Sequence, residues 1–511
     1  MSEFNFESLF IYDLANNHQG DLEHALNIVR AMGEITKKHG VRAALKFQFR
    51  QIDTFIHPDY KDRTDVPHIS RFMSTRLNKD NYKILTEEVR RQGMITICTP
   101  FDEGSIDDIN ELGIELIKIA SCSATDRPLL ERVAENNKPV VVSTAGLSLE
   151  QIDRLVSFLE HKRVRFALMH CVAIYPTPNN KLNLNQIDML KSRFPNVLIG
   201  YSAHEDPENY IAIRIALAKG AALFERHVGI GTDEYKLNAY SSTPEQIDKW
   251  IKEYHDAVNV CGGEERMPAF PEEINFLKSL MRGVYAKAKI NKGDVVNRGN
   301  SFFAMPLLDG QLASGEYFEG IVAEKDYSPN MPINNKLADL EPTNEELVYS
   351  IILQVKGLLN NARIFIGKES SIEISHHYGL KRFREYGAVI INCINREYCK
   401  KLIVQLPRQK HPIHCHKKKE ETFQLLYGDI EVVLDGHRNK LELGETLLLK
   451  PGCWHQFHTL DGVIMEEVST THYDNDSFYN DERITRLPRS ERKTEVLNWE
   501  ATIENKFKVN Y

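Results

Sequence analysis

Ala43-Ala44-Leu45-Lys46-Phe47-Gln48 and Ile117-Lys118-Ile119-Ala120-Ser121 are two short apolar runs, each with a lysine inside and a polar residue at its end. Both are of strand length, and a lysine inside such a run is costly to bury unless an anion meets it. Comparable runs recur along the first half of the chain, at Leu9–Leu14, Ala43–Phe47, Met94–Cys98, Ile117–Ala120, Pro139–Ser143, Phe166–Cys171, Val197–Gly200 and Ala222–Phe224. Amphipathic stretches lie between them, among them Asp21–His39, Lys79–Gln92, Ser105–Leu112 and Asp126–Asn136. Eight strand–helix units in about 250 residues predict an α/β fold, a (β/α)8 TIM barrel over residues 1–262. A doubly wound sheet normally needs fewer strands and leaves some of these runs unexplained.

A barrel of this kind places its chemistry where strands end and the following loops begin. Polar residues gather at those points: Asp13 and Asn17-His18-Gln19-Gly20 after the first run, Gln48 after the second, Thr99-Pro100-Phe101-Asp102 after the third. Ser121 follows the fourth, Ser143 ends the fifth, Tyr175-Pro176-Thr177-Pro178 follows the sixth, and Ser202-Ala203-His204 and Glu225-Arg226-His227 end the last two. Lys46 and Lys118, with Ser121, Ser143 and Ser202, could cradle a phosphate and a carboxylate. His204 and His227 end neighbouring strands, where two imidazoles can hold one divalent metal and leave positions open for water or substrate. Their spacing alone leaves Mn²⁺, Zn²⁺ and Fe²⁺ open.

Beyond residue 262 the character changes. Cys261-Gly262-Gly263-Glu264-Glu265, with Pro268 and Pro271, reads as a linker over 263–281. Residues 282–340 hold short strands and turns and form too small a segment for a large core. From about residue 345 the chain reads as strands separated by glycine turns near Gly428, Gly436 and Gly444, which predicts a small all-β antiparallel barrel over 345–495. There His414 and His416 stand two apart, on one side of a strand, followed by Glu421 and His455. Three imidazoles and a carboxylate make a candidate site for a second divalent metal, Mn, Zn, Fe or Ni. Glu466, Glu467 and His376-His377-Tyr378-Gly379 are candidates to lie near it.

The bulk properties narrow the field. The chain has 511 residues and a net charge of -8, and no basic tract stands out beyond Lys417-Lys418-Lys419, so nucleic acid is not expected as a partner. The eight cysteines form no CxxC pair, as in a cytoplasmic protein with reduced thiols. Met1–Phe10 has no basic start, and no run of apolar residues is long enough for a membrane span.

The segments Asn17-His18-Gln19-Gly20, Lys46-Phe47-Gln48, Lys118-Ile119-Ala120-Ser121, Tyr175-Pro176-Thr177-Pro178, Ser202-Ala203-His204 and Glu225-Arg226-His227 resemble the sialic acid synthase family in order and strand placement, over residues 9–340. Residues 282–340 are similar to that family's antifreeze-like (SAF) domain. The resemblance implies condensation of phosphoenolpyruvate with an open-chain N-acetylated hexosamine, N-acetylmannosamine or a dideoxy-diamino relative, with Mn²⁺ as the usual metal. It implies that His204 and His227 bind that metal, that Lys46, Lys118, Ser121, Ser143 and Ser202 surround phosphoenolpyruvate, and that Glu225 and Asp233 face the sugar. Gln48, Thr99 and Tyr175 join the candidate substrate-binding residues, and Asp13 and His18 join Lys46, Lys118 and Glu225 as candidate catalytic ones. Glu225 and Asp13 both remain open for handling the proton. A homodimer, with the antifreeze-like segment crossing over, is the expected assembly.

Four positions depart from that family's pattern: Asp13 replaces a glutamate, Ser123 a glutamate, Ala173 an asparagine and Met305 the arginine before Pro306. Residues His414, His416, Glu421, Gly428, Gly444, Gly452 and His455 resemble the two motifs of the cupin family. That implies a domain that isomerises or epimerises a sugar, or one that binds a sugar in a regulatory role. Two further readings are compatible with the sequence: a phosphoenolpyruvate-dependent synthase for a different aldose, and a non-catalytic sugar-binding or regulatory protein.

Overall fold

The computed structural model describes residues 4–497 apart from 62, 64, 67, 264, 265, 319, 335–342, 368, 369 and 474, together with 508–510. The chain divides into two compact units, Met1–Pro268 and Ala269–Tyr511.

The first unit is a closed barrel of eight parallel strands in chain order: β1 (Leu9–Asp13), β2 (Arg42–Phe49), β3 (Ile95–Pro100), β4 (Leu116–Ile119), β5 (Val140–Ser143), β6 (Phe166–Cys171), β7 (Ile199–Ala203) and β8 (Leu223–His227). Strand β1 pairs with both β2 and β8, which closes the ring. Residues along a strand alternate faces, and here the two faces meet different surroundings. Phe10, Tyr12, Leu45, Phe47, Ile117, Val142, Leu168 and Phe224 join the large core shared with the surrounding helices. Leu9, Ile11, Ala44, Ile97, Leu116, Val141, Ala167, Met169 and Leu223 form a separate apolar cluster. Two residues further along, the same face turns polar on six strands, with Asp13, Lys46, Thr99, Lys118, Ser143 and Glu225, and it carries Ser202 on β7 and Cys171 on β6. The apolar cluster closes one end of the barrel and the polar positions floor the other.

Helices pack outside because their apolar stripes match that outer face. Leu22–His39 is capped by Asp21, whose carboxylate accepts from the His24 amide, and ends at Gly40 with φ 62°, a left-handed turn suited to glycine. Pro244–Cys261 starts with a Thr243–Gln246 capping box and buries Trp250 and Tyr254 against Phe10.

Arg226, between Glu225 and His227, points the opposite way and is buried. Its guanidinium donates to the carbonyls of Pro207, Asp206 and Asn209 at 3.2–3.3 Å and lies 3.4 Å from the Glu205 carboxylate. Tyr201 Oη donates to the other oxygen of Glu205 at 2.8 Å. The loop that begins at His204 is thus tied to the back of β8.

The second unit opens with a helix, Pro271–Leu280, none of whose residues is buried, where the sequence reads as a linker. Proline at its first position supplies the helical φ without losing a needed N–H. Glu264 and Glu265 of that linker, and residues 335–340 of the expected antifreeze-like segment, lie outside the described residues. Strands β9 (Gly283–Ala286), β10 (Val295–Val296), β11 (Ser301–Ala304) and β12 (Ile321–Val322) pair antiparallel as β9 with β11 and β10 with β12. They enclose a small core of their own around Val284, Ile290, Val296, Leu312 and Tyr327.

The strand-like reading from residue 345 is corrected by a helix, Asn344–Asn361. A Thr343–Glu346 capping box starts it, and Val348, Ile351, Ile352, Val355 and Leu359 recur three and four apart on its buried side. Short apolar runs are ambiguous between strand and helix, and here the cap decides. Strands follow: β13 (Ser371–Ser375), β14 (Ala388–Asn395), β15 (Tyr398–Gln405), β16 (His414–Cys415), β17 (Glu421–Gly428), β18 (Ile430–Leu434), β19 (His437–Leu441), β20 (Thr446–Leu449), β21 (His455–His458), β22 (Val463–Thr470), β23 (Phe478–Tyr479), β24 (Lys493–Leu497) and β25 (Lys508–Asn510). They form an eight-stranded sheet, β20-β17-β22-β15-β14-β13-β24-β25, and a five-stranded sheet, β19-β18-β21-β16-β23. Phe423 and Leu425 of the first sheet share a core with Val432 and Phe457 of the second.

Arg226→Ala should leave Glu205 buried without its counter-ion, at a cost of about 3–5 kcal/mol. Chemical denaturation would show this as a lower midpoint, and an unchanged midpoint would contradict it.

Candidate functional site

Strand register builds the first site. Asp13 on β1 stands beside Lys46 on β2 and His227 on β8. Ser202 on β7 stands beside Glu225 on β8. Lys46 Nζ lies 3.0 Å from Asp13 Oδ2 and donates to Glu225 Oε1 at 2.8 Å. Lys118 Nζ reaches both Glu225 oxygens, at 3.0 and 2.9 Å, and Ser202 Oγ donates to Oε1 at 3.0 Å. All four charged groups are buried.

Burial alone would raise the Glu225 pKa, but Lys118 and Lys46 together hold it well below the usual carboxylate range. Asp13 likewise resists burial and is held low by Lys46 and His227. Lys46 lies above the ordinary lysine value, because Asp13 and Glu225 outweigh its burial. Lys118, with one carboxylate and Lys46 nearby, is pulled down by burial.

These groups floor a cavity of about 220 Å³, also lined by Gln48, Thr99, Ser121, Ser143, Tyr175, Ser202, His204 and His227. Thr99 Oγ1 is buried there without a hydrogen-bond partner. Ser121 Oγ accepts from the Ala145 amide at 3.0 Å. Tyr175 covers His204, with ring centres 4.3 Å apart.

The two imidazoles stand 5.4 Å apart, centre to centre. His204 Nδ1 donates to the Val172 carbonyl at 2.8 Å, which leaves Nε2 with its lone pair. Burial and His227 lower its pKa to about 4. His227 Nδ1 lies 3.4 Å from Asp13 Oδ2 and makes no hydrogen bond. A neutral, backbone-oriented imidazole beside a second one with an unsatisfied buried nitrogen fits a divalent metal.

Two expected residues lie elsewhere. His18 is buried off the cavity, with Nδ1 accepting from the Gly20 amide at 3.1 Å and its ring edge-on to Tyr82. Asp233 is exposed on the loop after β8 and does not line the cavity. Sequence reasoning also missed Cys122 and Cys171, which do line it. Cys171 carried a signal, since it shares the face of Ala167 and Met169 on β6. Of the three departures within the barrel unit, Asp13 and Ala173 line the cavity, while Ser123 does not.

In the second unit His414, His416 and His455 bring ligand atoms within 4.8 Å of one another. The carbonyls of Pro412, Asp476 and Cys453 accept from their Nδ1 atoms at 3.1, 2.6 and 3.2 Å, so each Nε2 keeps a lone pair. Nε2 of His416 and Nε2 of His455 each lie 3.5 Å from a Glu421 oxygen, and Nε2 of His455 is buried without a hydrogen bond. Burial is the main cause that lowers His416 to about 2 and His455 to about 4. This donor set is the known chemistry of a divalent site.

Glu421 also contacts Lys419, which donates to Glu467 at 2.9 Å. Glu466 and Glu467 point to opposite sides of β22: Glu467 lines the cavity, and Glu466 pairs with Lys400 at 2.6 Å. His377 meets His411 at 3.2 Å, whereas Tyr378 lines a different cavity.

The NeuB family pattern matches residues 34–266, and the Cupin domain pattern matches residues 402–466. An uncharacterized protein of Methanocaldococcus jannaschii is 32% identical over 292 residues, 57% of this chain and 82% of its own. The N,N'-diacetyllegionaminic acid synthase of Campylobacter jejuni is 26% identical over 332 residues, 63% of this chain and 97% of its own. The crystal structure of a protein of Chromobacterium violaceum ATCC 12472, assigned as spore coat polysaccharide biosynthesis protein E, matches 66% of this chain and 100% of its own at a TM-score of 0.63 and 43% identity. The chain therefore belongs to the NeuB family, the sialic-acid-synthase-like enzymes of phosphoenolpyruvate-dependent condensation, and carries a cupin domain in its C-terminal part.

Proposed function

We propose that the barrel joins phosphoenolpyruvate to the open-chain aldehyde of an N-acetylated hexosamine, giving a nonulosonate and phosphate. The observation that carries this reading is a buried pair of lysines beside two neutral imidazoles in one cavity at the strand ends. The diamino-sugar acid named for the C. jejuni relative supports a dideoxy-diamino acceptor alongside N-acetylmannosamine.

Lys46, Lys118, Ser121, Ser143 and Ser202 bind the donor's phosphate and carboxylate and fix its methylene carbon toward the acceptor. Gln48, Thr99 and Tyr175 orient the acceptor, and Tyr175 shields the imidazoles from water. Asp13 and Glu225 already neutralise the two lysines, so an anionic donor needs further positive charge. His204 and His227 would hold a divalent metal, Mn²⁺ by family resemblance, which would supply that charge and Lewis-acid polarisation of the aldehyde oxygen. Glu225, held by both lysines and Ser202, keeps their ammonium groups in place. Asp13, facing His227, is the better placed carboxylate for taking a proton from the attacking water.

Phosphate release from phosphoenolpyruvate, assayed over a panel of hexosamines with Mn²⁺, tests the reaction. Lys118→Met should lower kcat by about 10²–10³-fold, the loss typical of one electrostatic stabiliser. His204→Ala and His227→Ala should each lose barrel-bound Mn²⁺ and activity together. Full activity and metal content in both histidine variants would sink the scheme.

The neutral imidazoles also set a pH dependence. In the metal-free chain His204 and His455 titrate near 4, His411 near 3 and His416 near 2, against an ordinary 6.5, all chiefly through burial. Between those values the unfolded chain binds more protons, so stability falls as pH drops from about 7 to 4. Glu421, raised to about 7 by burial and Glu467, and Glu205, also raised by burial, oppose this above the ordinary carboxylate value but are two groups against several. Thermal unfolding in EDTA should show a falling midpoint from pH 7.5 to 4.5, and a flat or rising one would be inconsistent with neutral buried histidines.

A further inference from the structure

Lys401 on β15 is 4% exposed, yet among the described residues its ammonium makes no hydrogen bond and no ion pair. Its neighbour across the strand register is Glu467 on β22. That carboxylate is taken: Lys419 donates to it at 2.9 Å and Ser469 Oγ at 3.1 Å. Lys493, which lines the same cavity, is taken by Glu373 at 2.6 Å. Burial pulls the Lys401 pKa down, and only part of that is offset by Glu467. Leaving an ammonium buried without a close counter-ion is expensive, and a methionine there would avoid the cost.

The cavity that Lys401 lines has a volume of about 40 Å³ and includes His414, His416 and Glu421. Of the three lysines that line it, Lys419 is answered by Glu421 and Glu467 and Lys493 by Glu373, which leaves the Lys401 charge without a close carboxylate among the described residues. A neutral sugar hydroxyl would leave that charge unanswered, whereas a carboxylate would answer it with a charge-assisted hydrogen bond.

We propose that the cupin cavity takes the carboxylate of a small acid, with Lys401 as its counter-ion beside the histidine cluster, and so selects acids over neutral sugars. The volume admits a carboxylate and its adjoining carbons, so a sugar acid would enter acid end first. The Lys401 assignment does not depend on the barrel's reaction. On the reading given above, the barrel's own product is such an acid.

Isothermal titration of the full Mn²⁺-loaded chain tests this, with pyruvate, N-acetylneuraminate and N-acetylmannosamine as probes. In the native chain one acid-binding component should vanish or weaken at least tenfold on Lys401→Met and survive Lys401→Arg, while any barrel component stays. Pyruvate as the better ligand would point to a free small acid, and N-acetylneuraminate as the better one to a sugar acid. Manganese content should be unchanged in Lys401→Met and its unfolding midpoint equal or higher, since an unpaired buried charge is removed; Lys401→Gln provides a second, polar variant. Acid binding that is equally tight in Lys401→Met and Lys401→Gln, or absent from the native chain, would overturn the assignment. So would a Lys401-dependent component seen only with N-acetylmannosamine. Phosphate release from phosphoenolpyruvate by Lys401→Met reports on the barrel separately, so failure there and failure here are distinguishable.

Discussion

The barrel depends on one buried carboxylate. Glu225 accepts from Lys46, Lys118 and Ser202 at once, and Asp13 shares Lys46. Taking charges out of water costs several kcal/mol per ion unless each meets its opposite in good geometry. Two lysines on strands β2 and β4 therefore require carboxylates within reach, and the closed ring supplies them from β1 and β8. The fold itself fixes these charges in place, and on the function proposed above that fixed arrangement is what would stabilise developing charge.

The two histidine centres follow a common plan on unrelated frameworks. For His204 in the barrel and for His414, His416 and His455 in the cupin, a backbone carbonyl accepts from Nδ1 and leaves Nε2 free. Burial then keeps each ring neutral, the form in which imidazole binds a metal. Their surroundings differ. The barrel pair opens onto a cavity roughly five times larger than that of the cupin and faces carboxylates already tied to lysines. The cupin trio sits against a glutamate that a lysine bridges to a second one.

Departures from the sialic acid synthase pattern sort by place. Asp13 and Ala173 are in the cavity wall, where a shorter carboxylate and a missing amide alter its shape and its polar groups. Ser123 is buried in the short turn after β4, off that wall. The lysines and serines named in the family resemblance, Lys46, Lys118, Ser121, Ser143 and Ser202, all line the cavity.

The sequence by itself determined the alternation of eight apolar runs with amphipathic stretches, and hence the barrel. It also exposed Lys46 and Lys118 as charges inside strands, and the His414, His416 and His455 spacing as a metal-type cluster. These were legible because strand period and ligand spacing are local properties. Tertiary structure alone decided that Glu225 reaches both lysines, that His18 and Asp233 stand apart from the cavity, and that Lys419 rather than Lys401 claims Glu467. The helix from Asn344 onward was also written locally, in the Thr343–Glu346 capping box that starts it, and its apolar side then joins the core beside the sheet. Contacts between residues hundreds of positions apart carry no trace in the local pattern of either partner; they exist only once closure of the barrel and pairing of the sheets have fixed which side chains share a face.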